Sequence, residues 1–100
     1  MKITIDEKNS IVKILEFPKE LYSWENVIKL LNILKEDFYI SIHGNEEKID
    51  LIFKSKETIT ESEAKEFINE FFKVLIGFEQ SKVSLEKEID LEELKNVNAQ

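Results

Sequence analysis

The sequence predicts an α+β fold: a four-stranded, mainly antiparallel sheet built from two β-hairpins, with two or three helices on one face, in the order ββαββα(α). Three observations carry that reading. Two pairs of short, alternating, apolar runs each enclose a polar turn. Each pair is followed by a stretch whose apolar residues recur at the helical period. The chain has 100 residues, 42% of them hydrophobic and 35% charged, which suits one folded domain with a single core. Residues 1–97 read as that domain and 98–100 as a frayed tail.

The elements follow in order. Ile3 and Ile5 alternate with polar residues, Asp6 to Ser10 is a polar turn, and Ile11 to Phe17 is a β-branched run, giving the first hairpin. Pro18, the only proline, ends the second strand because it has no N–H for a ladder. Ser23 supplies a helix cap through its hydroxyl oxygen. Trp24, Val27, Ile28, Leu31 and Leu34 then recur on one face, so a helix is expected from about Ser23 to Glu36.

Phe38, Ile40 and Ile42 alternate with Tyr39, Ser41 and His43. Gly44 and Asn45 both tolerate positive φ, and Ile49, Leu51 and Phe53 alternate again, which closes the second hairpin. Thr4, Lys13 and Lys54 suit a solvated outer sheet face. Thr60 and Glu63 have the spacing of a capping box, with Ile59 and Ala64 at the staple positions. Ala64, Phe67, Ile68, Phe71, Phe72, Leu75 and Phe78 then form one long stripe. Gly77 is a candidate end or bend of that helix. Between residues 79 and 90 the pattern is open to helix, strand or loop. Val83 and Leu85 suit a short strand, but Leu85 with Ile89, then Leu91, Leu94 and Val97, reads better as helix, which Asp90 and Glu93 would restart.

Composition bears on function mainly by what it lacks. There is one histidine, no cysteine, and all 14 basic residues are lysine. Most catalytic and metal sites need several such groups to converge. No glycine-rich phosphate loop, paired-cysteine motif or serine elbow is present. The net charge of −7 argues against nucleic acid and anionic membranes. No apolar run approaches the roughly 18 residues of a membrane span. The N-terminus lacks a signal-peptide core, so a cytoplasmic location is expected.

The remaining candidates are few. His43, before the second turn, reads as a polar strand-end residue more readily than as a general base. Glu63, Glu66 and Glu70 share one helix face, where they would hold a cation, receive lysines from a partner, or simply face water beside Lys65 and Lys73. Glu86, Glu88, Asp90, Glu92 and Glu93 form a second acidic cluster open to a basic peptide. Tyr22 and Trp24 flank the first helix start, where they either staple its entry or serve an interface. Asn69 and Glu70 interrupt the aromatic helix.

Three stretches together give the chain a family likeness: Leu21-Tyr22-Ser23 through Val27-Ile28, Asp37-Phe38-Tyr39-Ile40, and Phe67-Ile68-Asn69-Glu70-Phe71. They resemble the Tyr-then-helix entry, the aromatic strand and the Phe-x-Asn-Glu-Leu helix segment of the HxsD-type small proteins of His-Xaa-Ser repeat peptide systems. The likeness covers roughly residues 10 to 97. The chain departs from the family in lacking the arginine-bearing helix that follows Asn-Glu, and in a more acidic C-terminal region. The resemblance implies a non-catalytic accessory protein, encoded beside radical-SAM enzymes, that holds a precursor peptide or the enzyme. No cofactor or metal is expected. A sheet edge or an acidic helix face would receive the partner, with Tyr22, Trp24, Asn69 and Glu70 as candidate contacts. The alternatives are a self-associating homodimer and a small-ligand regulatory domain of ferredoxin-like type.

Overall fold

The structure is a computed structural model that describes the backbone of residues 1–99 and the side chains of residues 1–80. Strands β1 (Lys2–Asp6) and β2 (Ile11–Pro18) form the first hairpin. Helix α1 (Trp24–Leu34) follows. Strands β3 (Phe38–Gly44) and β4 (Lys48–Ser55) form the second hairpin, and helix α2 (Glu61–Ala99) completes the chain. All pairings are antiparallel, in the spatial order β1-β2-β4-β3. The α+β architecture is therefore the expected one, with β2 and β4 in the centre and β1 and β3 at the edges.

Directly opposed residues share a face, so the register fixes the core. Val12 faces Phe53 and Ile14 faces Leu51 across the central pair, while Ile5 lies opposite Val12 and Ile40 opposite Phe53. Against this face pack Val27, Leu30 and Leu31 from α1 and Ala64, Phe71 and Leu75 from α2, all buried. Both helices thus cover the same side. Aromatic rings knit the layers: Phe53 meets Phe67 at 5.2 Å and Phe71 at 5.6 Å, both edge-on.

One irregularity makes the central pair possible. Ile14 and Phe17 are an odd number apart, so a regular strand would turn them to opposite faces. A bulge adds one residue between Ile14 and Phe17 relative to Leu51 and Ile49, and both side chains stay inside. Glu16 takes up the strain at φ 55, and its N–H donates to Asp50 Oδ1 at 2.9 Å. Pro18 is tolerated beyond the bulge because β1 pairs only as far as Leu15 and no longer runs alongside.

The loops are tied by short polar side chains. Asn45 Oδ1 accepts the N–H groups of Glu47 and Lys48, which closes the second turn. Gly44 sits at φ 144, where a Cβ would press into the Lys48 carbonyl. Ser10, at φ 55 and only 7% exposed, ties the start of β2 to the end of β4 and the loop that follows it. Its carbonyl accepts from Ser55 N–H at 2.9 Å, and its Oγ accepts from Ile59 N–H at 3.1 Å. The capping box forms as expected: Glu63 N–H donates to Thr60 Oγ1 and Thr60 N–H donates to Glu63 Oε1, each at 3.1 Å.

Three expectations need correction. Ser23 is the N-cap of α1, yet its side chain makes no capping bond. Instead Glu79 on α2 supplies the acceptor: one oxygen takes Ser23 N–H at 2.6 Å and Asn26 Nδ2 at 2.8 Å. Second, α1 ends at Leu34 rather than Glu36. Third, α2 neither ends at Gly77 nor restarts at Asp90; residues 79–90 are helical, the better of the readings for that stretch, and Val83 and Leu85 form no strand. Gly77 lacks the left-handed φ of a C-terminal cap. The residues after it fix the helix in place, since Phe78 packs on the core and Glu79 holds α1. That anchoring outweighs the roughly 1 kcal/mol cost of a helical glycine. At 39 residues α2 spans roughly 58 Å and runs well beyond the sheet.

A candidate binding edge and acidic groove

Strand β3 has β4 on one side and, among the described residues, no strand on the other. Its seven residues, Phe-Tyr-Ile-Ser-Ile-His-Gly, include no Lys, Asp, Glu or Pro. Its ladder with β4 runs without a bulge from Phe38 to Gly44. Natural edge strands are usually guarded by charge, proline, a bulge or extreme shortness. The opposite edge is guarded: β1 has five residues and carries Lys2 and Asp6. The open edge also shows apolar surface. Tyr39 is 64% exposed on the outer face, with Lys56 Nζ 5.3 Å from its ring centre, and Ile42 is 43% exposed on the inner face.

At the Phe38 end of β3 the sheet, the β4–α2 loop and the first turns of α2 enclose a groove of about 510 Å³. That size is typical of small-ligand clefts. Half-buried Phe38, Phe67 and Ile59 form its apolar lining, with Phe38 and Phe67 centred 4.5 Å apart. Its polar walls carry six carboxylates, from Glu36, Asp37, Glu57, Glu63, Glu66 and Glu70, against one lysine, Lys56. The Lys56 N–H donates to the Asp37 carbonyl at 3.0 Å and so joins two of the walls. Glu63 is engaged in the capping box. Lys65 pairs with Glu61, at 3.7 Å, rather than with the acidic face. Among the described residues no lysine lies within ion-pair distance of Glu66 or Glu70. The carboxylates are spread around the rim: among the described residues no three acidic or histidine side chains stand close enough to hold a metal ion.

The four candidate contact residues do not meet in one place. Glu70 lines the groove and is exposed. Asn69, next to it on α2, is exposed and outside the groove lining. Tyr22 is half-buried, stacked on Phe17 at 5.4 Å and beside Phe72 at 6.5 Å, and so fastens the entry to α1. Trp24 is 36% exposed, with Lys19 Nζ 5.1 Å from its ring centre. His43 lies opposite Asp50 on the outer face, where Asp50 Oδ1 already accepts the Glu16 amide. The second acidic cluster, from Glu86 to Glu93, falls where side chains lie outside the described residues.

Sequence reasoning found the Glu63-Glu66-Glu70 face by its periodicity but not Glu36, Asp37 and Glu57, which join it only through the fold. The open edge did leave a signal: 38–44 is the one hairpin strand with no charged residue. Among the described residues no helix is long and apolar enough to cross a membrane. Comparison with protein-family models, with curated proteins and with solved structures found no match.

Proposed function

We propose that this chain is a non-catalytic binding domain that receives an extended segment of a partner by strand addition at β3. The observation that carries the reading is the unguarded edge: seven uncharged residues in unbroken register, beside a charged and short opposite edge. Strand addition draws affinity from backbone groups and specificity from pockets next to the edge. It therefore needs no concentration of special side chains, which agrees with the sparse chemistry of the sequence. The resemblance to HxsD-type proteins gives the partner its class: a precursor peptide, or a radical-SAM enzyme that modifies one, in the cytoplasm.

A second reading has its own support. Two copies of β3 can pair antiparallel about Ser41, setting Tyr39 opposite His43 and Ile40 opposite Ile42 with no charge repulsion. Affinity capture with two variants separates these readings. Ser41→Lys charges the open edge, and Thr4→Lys charges the outer face of β1 as a control. A peptide or radical-SAM enzyme recovered by the parent and by Thr4→Lys, but lost with Ser41→Lys, is the expected result. Equal recovery by all three contradicts the edge reading. A concentration-dependent dimer that only Ser41→Lys dissociates supports self-pairing instead.

A further inference from the structure

We infer that the segment received at β3 is basic, and that a lysine or arginine side chain where it passes Phe38 enters the acidic groove. This rests on the reading of β3 as a receiving strand and adds the chemistry of what is received. The groove continues from the end of the open edge, because Phe38 is both the first residue of β3 and part of the groove lining. An added strand running along β3 therefore leads its side chains past the groove mouth.

Charge complementarity identifies the occupant. Glu66 and Glu70 stand on the α2 wall with no cation within ion-pair distance among the described residues, and Glu36, Asp37 and Glu57 face them from the loops. A carboxylate-bearing segment would be repelled. The apolar lining suits the long stem of a lysine or arginine, which packs on hydrocarbon while its charged end stays near the rim. A bare metal ion fits less well, since the carboxylates are dispersed rather than convergent. The net charge of −7 draws a basic segment in from a distance at low salt.

Three synthetic peptides test this with the full chain: eight residues of alternating Thr and Val, ending in Lys-Lys, in Ser-Ser or in Glu-Glu. Binding is read by fluorescence anisotropy, and its place by amide chemical shifts. The expected result is an order of preference Lys-Lys, then Ser-Ser, then Glu-Glu, with shifts at 38–44 for those that bind. The preference for Lys-Lys over Ser-Ser should fall about tenfold in a Glu66→Gln, Glu70→Gln double variant and shrink as salt rises. Both positions are exposed, and among the described residues neither side chain makes a hydrogen bond on which the fold depends, so the variant is expected to fold. Equal binding of all three peptides with shifts at β3 overturns the basic-segment inference and leaves the edge reading intact. Shifts confined to the groove, or no binding by any peptide, overturn both. A free protein whose β3 is already paired with a second copy also overturns the inference.

Discussion

Replacing Glu79 tests how the two helices are held together. Its carboxylate oxygen accepts from the Ser23 amide at the start of α1 and from the side-chain amide of Asn26, which is 8% exposed. Glu79→Ala leaves the Asn26 amide without this acceptor, a loss of about 1–3 kcal/mol for a buried donor. It also removes a helix cap, about 1 kcal/mol, and a negative charge at the positive end of α1, about 0.3–1 kcal/mol. The expected total is about 2–5 kcal/mol, or a fall in Tm on the order of 10–40 °C. Glu79→Gln keeps an acceptor and loses only the charge, so it should cost about 0.3–1 kcal/mol. Asn26→Ala in the Glu79→Ala background removes the orphaned donor. The double variant should therefore be less destabilised than the sum of the singles, by about 1–2 kcal/mol. Urea unfolding followed by circular dichroism reads the parent, the three single variants and the double variant. A Glu79→Ala protein within 0.5 kcal/mol of the parent, or strictly additive singles, would refute the reasoning.

Three further outcomes are expected. Ser10→Ala should cost about 1–2 kcal/mol, because the Ile59 amide loses its acceptor, and urea unfolding at unchanged m-value checks it. Glu16→Gly should stabilise by about 0.5–1 kcal/mol, since the left-handed backbone at the bulge costs a side-chain-bearing residue more than the extra freedom of glycine costs unfolding; a lower Tm would contradict this. The Asp6 carboxyl is held below its ordinary value, first by the side-chain amide of Asn9 and then by the Asn9 backbone N–H. A depressed folded-state value means that this contribution to stability is present at neutral pH and is lost as pH falls through the folded value. An NMR titration should show the Asp6 midpoint rising in Asn9→Ala; an unmoved midpoint would count against the hydrogen-bond cause.

The fold was largely legible because its signals are periodic. Alternation in 38–43 and 49–53, and the stripe from Ala64 to Phe78, are each enough to set an element and its inner face. The Thr60–Glu63 box is a local reciprocal pair, so spacing reveals it. The features that escaped are nonlocal. The cap of α1 comes from Glu79, 56 residues beyond Ser23, and nothing near Ser23 announces it. The continuity of α2 past Gly77 depends on what Phe78 and Glu79 reach in the folded chain. The groove draws on residues 36–38, 55–59 and 63–70, and only the last of these has a pattern of its own. The identity of the edge strands depends on β2 pairing with β4, which two hairpins read separately do not reveal.

The most direct test of the central claim is residue-by-residue amide exchange along β3 with and without the Lys-Lys peptide. In an antiparallel edge strand, alternate amides already bond the inner neighbour and the others point outward. Strand addition should therefore slow exchange at every second residue from Phe38 to Gly44 and leave β1 unchanged. Uniform or absent protection across β3, with the peptide demonstrably bound, would contradict the account.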